Sequence, residues 1–388
     1  MKRIPYGRQD ISQADIDAVI EVLRSDWLTQ GPVVPRFEEA VARYANANFA
    51  VAANSATSAL HIACLALDLG PGDWLWTCPN TFVASANCGL YCGARVDFVD
   101  IDPKTYNMSV RSLREKLYQA ELNNKLPKIV IPVHFAGQSC EMKEIGALAS
   151  QYGFRIIEDA SHAVGGKYLG EPVGKGSYSD ITVFSFHPVK IITAGEGGMA
   201  MTSCPQLASR MRRFRSHGLT SDRTEMRVRP ELEIWNYQQI GLGYNYRLSD
   251  IHAALGLSQF NRLNEFVVKR HRIAERYNQA LADLPVIIPW QHGDTYSSFH
   301  LYPIRICRAD CGKTQRQVYE TLLDAQVWAN IHYIPVHRQP YFESMGFADG
   351  CCPEAESFHR ETISLPIFPR LTESEQDYVI DVIRSAMA

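Results

Sequence analysis

The sequence lacks a C-x-x-C pair, although ten cysteines are spread along its 388 residues. Cys88 with Cys92, and Cys307 with Cys311, are each one residue too widely spaced for that motif, so neither a zinc site nor any other metal centre is expected. No secretory signal is recognisable in MKRIPYGRQD, and reduced structural thiols in a cytoplasmic protein are the expectation. No apolar run reaches the length needed to span a bilayer. Charge of one sign is scarce too. With 39 Lys and Arg against 42 Asp and Glu, the net charge of −3 provides no broad basic field for nucleic acid or an anionic membrane. Internal repeats and low-complexity tracts are absent. The only glycine pattern of the dinucleotide-binding kind, GLGYNY, lacks a third glycine and follows no clear strand, which argues against a nucleotide dehydrogenase.

What is present is an ordinary globular composition, 46% hydrophobic and 21% charged, over a length that exceeds a single core. Ser12 with Asp15 reads as a capping box opening a helix whose apolar face is Ile16, Val19, Ile20 and Leu23. Pro32 suits the first turn of a second helix carrying Phe37, Val41 and Tyr44. The runs DWLWTC, RVDFVDI, KIVIPVHF, FRIIEDA and DITVFSF read as strands, with EMKEIGALASQYG as a crossover helix. That rhythm predicts a mostly parallel sheet covered on both faces, with ligands beyond the carboxyl ends of its strands. From Ser249 a helical stripe through Ile251, Leu255, Phe260, Leu263, Val267 and Tyr277 predicts one long helix. Residues 1–249 are therefore expected to form a large ligand-binding domain. Residues 250–388 are expected to form a smaller C-terminal α+β domain, on which the N-terminal segment is free to pack.

Two charged residues stand at telling places. Asp159 ends the strand FRIIED, facing the crevice, and Lys190 follows the strand ending in FSF. Lys190 has no acid within four residues on either side. Taken singly, Lys190 reads as a solvated loop lysine and Asp159 as a helix cap. Taken together, they match what pyridoxal phosphate requires. A desolvated lysine is a usable amine nucleophile, and a carboxylate keeps the pyridine nitrogen protonated. In ANSATSAL, small residues at a helix start allow backbone amides, Thr57 and Ser58 to meet a phosphate, to which Ser185 can add a donor. Phe82 is placed to stack on a flat ring, its plainer alternative being core packing.

SATSAL, NTFVASAN, EDASHAVG, FSFHPVKIITAGEGGMA and GYNYRLSDIHAALG, in this order and spacing, closely resemble the DegT/DnrJ/EryC1/StrS sugar aminotransferases, from LTQGPVVPRFE to SLPIFPRLT. The resemblance implies an α/β protein of pyridoxal-phosphate-dependent fold type I, similar to aspartate aminotransferase. It implies that Lys190 is the lysine that bonds to the cofactor and later acts as general acid–base. Asp159 would be the partner of the ring nitrogen, Phe82 would stack, and His162 would sit near the phenolic oxygen, where many relatives carry Gln. Thr57, Ser58 and Ser185 would hold the phosphate, together with Asn245 of a neighbouring subunit, and so an obligate homodimer is implied. The family's histidine-bearing dehydratases differ at the lysine, so transamination from L-glutamate is favoured here.

RIPYGRQDIS, SDWLTQGP, IPVHFAGQSCEM, SHGLT and HYIPVHRQPYF resemble the pseudaminic-acid branch of that family. The branch aminates C4 of UDP-2-acetamido-2,6-dideoxy-β-L-arabino-hexos-4-ulose. On this resemblance Tyr6, Thr29, His187, His332, Tyr333 and His337 line the UDP-sugar pocket. Arg223, Arg227, Arg229 or Arg247 would pair with the pyrophosphate. The alternatives are another nucleotide ketosugar, such as a UDP-4-ketopentose or a dTDP-ketosugar, or a non-catalytic pyridoxal-phosphate-binding regulator.

Overall fold

The computed structural model describes residues 3–228, 236–307, 309 and 312–388. Seven strands form the main sheet: β1 (Phe49–Ala53), β2 (Trp74–Thr77), β3 (Arg95–Phe98), β4 (Ile129–Ile131), β5 (Arg155–Asp159), β6 (Ile181–Ser185) and β7 (Gly198–Thr202). Their order is β1-β7-β6-β5-β4-β2-β3. Neighbours pair in parallel except at β7, which runs antiparallel to both β1 and β6. The five strands read from the runs above are all present, and GMAMT (β7) was not among the runs read as strands.

Successive strand residues point to opposite faces. Val51, Val183 and Ala200 join one core with Leu60, Leu75 and Ile129. Ala52, Phe184, Met199 and Met201 join the other with Phe37, Ala253 and Phe260. Helices α1 (Gln13–Leu23), α2 (Val33–Ala45), α3 (Ala56–Ala66), α4 (Ala84–Tyr91), α5 (Val110–Leu122), α6 (Met142–Tyr152) and α7 (Pro205–Arg215) complete the first part of the chain.

The Ser12–Asp15 capping box forms with both bonds present. The buried side of α1 is not the apolar stripe, however. Ile16 and Leu23 are exposed, while Asp15 is fully buried. The Asp15 carboxylate accepts hydrogen bonds from Ser258 Oγ and Gln259 Nε2, each at 2.6 Å, so polar bonding decides which side faces inward.

The expected long helix is divided at Asn261–Arg262 into α8 (Asp250–Phe260) and α9 (Leu263–Ala280). The break lets α8 lie against α1 and α2 while α9 sends Ile273 and Tyr277 into a separate core. That core holds Tyr302, Ile304, Leu322, Ile363, Val379 and Ile383. Ile4 belongs to it as well, pairing in parallel with Val327. Arg270 of α9 is buried and donates to the carbonyls of Phe299, His300 and Ile367 at 2.9–3.2 Å. Burial pushes its guanidinium down to about 9. Among the described residues, no helix is long and apolar enough to cross a membrane.

Asp250 joins the start of α8 to the start of α2. Its carboxylate is fully buried and accepts from the backbone N–H groups of Gly31 (2.8 Å), Val33 (2.8 Å) and Val34 (3.2 Å). These N–H groups have no partner within α2 and would otherwise be buried unpaired. Asp250→Ala is expected to lower stability by about 2 kcal/mol or more in urea unfolding, with Asp250→Asn retaining part of it.

Candidate active site

A cavity of about 510 Å³ opens at the carboxyl ends of β5 and β6. Ten of the residues singled out above line it: Tyr6, Thr57, Phe82, Asp159, His162, Ser185, His187, Lys190, His332 and Tyr333. Lys190 and Asp159 thus share one crevice, although no ion pair joins them. Lys190 is half-buried, and loss of water pushes its ammonium down to about 8, with the Asp159 carboxylate pulling the other way.

Asp159 is bonded on both oxygens. Oδ1 accepts from Ser161 Oγ (2.6 Å) and the Ser161 N–H (3.1 Å), and Oδ2 accepts from Ser85 Oγ (2.5 Å). Beside it in β5, the buried Glu158 is held below the usual carboxylate range by His134 Nε2 (2.7 Å), Ser179 and Thr182, which offset its burial. His134 Nδ1 accepts from the Cys140 N–H at 3.1 Å, so the imidazole proton lies on Nε2, toward Glu158.

At the start of α3, Ser55 Oγ accepts from the Ser58 N–H at 3.1 Å. The N–H groups of Ala56 and Thr57 have no acceptor among the described residues, and both residues line the cavity. An anion is the natural partner for such groups. β7 presses close behind: a Cβ at Gly198 would stand 2.4 Å from the Ala56 nitrogen, a distance only glycine avoids. Phe82 is 61% exposed, so core packing does not explain it, and its ring is free to stack on a ligand.

The opposite wall carries His162, Tyr333 and His332. Tyr333 packs against the core of Val51 and Leu60, while His332 reaches Ser364, between Ile363 and Leu365 of the α9 core. His162 Nδ1 accepts from the Ala136 N–H at 3.3 Å, leaving the imidazole proton on Nε2, which donates to Tyr333 Oη at 3.1 Å. The Tyr333 hydroxyl keeps its own proton available to the cavity. Burial, with Lys190 and His332 nearby, holds His162 well below the usual imidazole range. His332 is pushed down to about 3 by burial and by Lys190. It bonds Ser364 Oγ (2.9 Å) and Asn330 Nδ2 (3.3 Å). These rings are therefore neutral hydrogen-bonding groups at neutral pH.

The remaining expectations place differently. Ser58 is buried behind the cavity wall, its hydroxyl bonded to Ser55 Oγ at 3.1 Å. His337 is corrected outright: it is fully buried and bonded to the Glu356 carboxylate at 2.8 Å, which makes it a core histidine. Thr29 and Asn245 are exposed, bridging Ser249 and Ser216 respectively, and neither lines this chain's cavity. Arg247 lines a separate hollow of about 250 Å³ with Glu38 and Arg215. Arg223 and Arg227 are exposed away from the cavity, and Arg229 lies outside the described residues. Sequence reasoning assigned no role to Ser85, Ser161, Glu196, His300, Asn330 or Gln339, all but Ser85 on the cavity wall.

Trapping of Lys190 by a small aldehyde and borohydride in the apoprotein is expected to rise with pH through a midpoint near 8, as the ammonium loses its proton. Asp159→Asn removes the one charge holding that proton and is expected to move the midpoint lower. Mass spectrometry of the reduced adduct reads both.

Residues 9–384 match the DegT/DnrJ/EryC1/StrS aminotransferase family. The spore coat polysaccharide biosynthesis protein SpsC of Bacillus subtilis (strain 168) is 36% identical over 384 residues, which cover 98% of this chain and 96% of that protein. Among solved structures, Helicobacter pylori PseC, described as an aminotransferase involved in the biosynthesis of pseudoaminic acid, is similar with a TM-score of 0.90. It is 29% identical, and the match covers 100% of this chain and 99% of that one. Spr1654 of Streptococcus pneumoniae in its pyridoxal phosphate form has a TM-score of 0.89 at 28% identity, covering 100% and 99%. Pyridoxal phosphate fits the residues present: an amine, a carboxylate, an unpacked aromatic ring and two unpartnered N–H groups at a helix start converge on one cavity. The chain belongs to the DegT/DnrJ/EryC1/StrS aminotransferase family and is a sugar aminotransferase whose cofactor is pyridoxal phosphate.

Proposed function

We propose that the protein aminates C4 of UDP-2-acetamido-2,6-dideoxy-β-L-arabino-hexos-4-ulose, with L-glutamate as donor, as a step toward pseudaminic acid. The observation that carries this reading is the cavity wall facing Lys190. Tyr6, Asn330, His332, Tyr333 and Gln339 present neutral donors and acceptors on flat or short side chains there, suited to sugar hydroxyls and an N-acetyl group. The likeness to PseC supports the same choice.

When bound, pyridoxal phosphate supplies a ring that draws electrons from the carbon losing its proton. Lys190 Nζ provides the amine that holds the cofactor and then takes and returns that proton, its lowered basicity keeping a neutral fraction near pH 8. Asp159 would hold the ring nitrogen, Phe82 would stack on the ring, and His162, bonded to Tyr333, would stand near the phenolic oxygen. Thr57, Ser185 and the free N–H groups of α3 would hold the phosphate. His187 joins the sugar side.

Lys190 is the only lysine or arginine among the described residues lining the cavity, yet two anionic ligands must enter it. A homodimer meets that need, with the exposed Asn245 of one protomer completing the phosphate site of its partner and Thr29 and Arg247 beside it at the shared edge. On this reading, residues 1–249 form the cofactor domain and residues 250–388 the small domain.

A panel of nucleotide ketosugars with L-glutamate, read by product mass, tests the substrate. The proposed sugar is expected to exceed a UDP-4-ketopentose and a dTDP-ketosugar by about tenfold or more in kcat/KM. Faster amination of either of those would assign the enzyme to that sugar instead. Lys190→Ala is expected to abolish turnover.

A further inference from the structure

Beneath Asp159 lies a chain of hydroxyls that the reaction as described does not use. Thr81, Ser85 and Asp159 are all buried. Ser85 Oγ stands 2.5 Å from Asp159 Oδ2 and 2.9 Å from Thr81 Oγ1. A carboxylate only accepts, so the Ser85 proton points to Asp159, and Thr81 must then donate to Ser85. The chain runs one way, Thr81 to Ser85 to Oδ2, each bond polarising the next. On the other oxygen, Ser161 donates through both Oγ (2.6 Å) and N–H (3.1 Å). Thr81 and Ser85 span the turn from the end of β2 into α4, four residues apart, so the loop that presents Phe82 also fixes this chain.

Four donors are thus spent on, or lined up behind, one carboxylate. Hydrogen bonds to the charged form favour that form. A proton shared between a ring nitrogen and this carboxylate has two resting places: on nitrogen, with both partners charged, or on oxygen, with both neutral. Every donor to Asp159 favours the first.

We propose that Ser85, relayed by Thr81 and assisted by Ser161, is a positioning residue that keeps the Asp159 carboxylate ionised so that the shared proton stays on the ring nitrogen of the bound cofactor. This rests on the assignment of Asp159 as the partner of that nitrogen. Without Ser85 the proton moves from nitrogen to the carboxylate oxygen, both charges vanish, and the ring withdraws electrons less strongly.

The test is the nitrogen-15 NMR shift of the ring nitrogen in holoenzyme loaded with ring-labelled pyridoxal phosphate, where pyridinium and neutral pyridine are well separated. The wild type is expected at the pyridinium position. Ser85→Ala is expected to move toward the neutral position, with kcat falling about tenfold and KM little changed. Ser161→Ala is expected to move the same way on the other oxygen, and serves if Ser85→Ala fails to fold. Ser85→Thr, which keeps the hydroxyl, is expected to restore the wild-type shift. A signal that stays at the pyridinium position in both alanine variants overturns the proposal, even if stability or activity falls. Asp159→Asn separates the two levels: retention of the pyridinium signal there would overturn the assignment of Asp159 itself.

Discussion

A lysine and an aspartate must share one crevice without neutralising each other. In water or in a loose pocket they would pair, the ammonium would gain basicity, and the amine would be of no use at neutral pH. The structure prevents this by saturating the carboxylate first. Ser85 and Ser161 occupy the Asp159 oxygens, and Lys190 stands apart with no acid bonded to it. What remains is a long-range attraction that only partly offsets the loss of water around the amine. The other parts of the site serve that separation. Glu158 is tied to His134, Ser179 and Thr182, and the four imidazoles on the cavity wall, His162, His187, His300 and His332, are all held below their ordinary range.

The fold supplies the crevice by a simple geometric device. Parallel strands deliver their carboxyl ends to one edge, and the single reversed strand, β7, brings Gly198 against the start of α3. Backbone presses on backbone there, and the amides of Ala56 and Thr57 face the cavity because nothing else can stand behind them. The far side of the site is closed by Tyr333, whose hydroxyl meets His162, and by His332, whose ring is oriented by Ser364 and Asn330. His332 reaches the α9 core through Ser364, so the placement of that wall depends on how α9 and the Arg270-bonded carbonyls hold the cores together.

Much of this was legible in the residues because strand ends carry their own signal. Asp159, Lys190, Thr57 and Phe82 each follow a recognisable strand, and the topology rule alone draws them to one edge. Four kinds of information were not legible. β7 is five residues of ordinary polarity behind a glycine cluster, and its reversed direction is decided only by its neighbours. His337 has the same local look as His332, yet its partner, Glu356, is 19 residues away in sequence and makes it a core residue. The hydroxyl chain was hidden because Ser85 meets Asp159 across 74 residues, and a helical serine gives no sign of which carboxylate it will reach. The division of the long helix likewise has no proline or glycine to announce it. The apolar stripe runs on across the break: Leu263, Phe266 and Val267 stay with Phe260 in one core, and Ile273 and Tyr277 reach the other.

The pairing of Ile4 with Val327 carries a consequence for biogenesis. The second core takes its edge strand from the start of the chain and its last helix, Glu373–Met387, from the far end. During synthesis the large sheet can be complete while that core still waits for residues hundreds of positions later, with Ile4 already outside the ribosome and unpaired. Contacts of such sequence separation close slowly. The cavity wall bearing His332, which bonds Ser364 beside that core, is therefore among the last parts of the molecule to be assembled, and Lys190 is in place well before it.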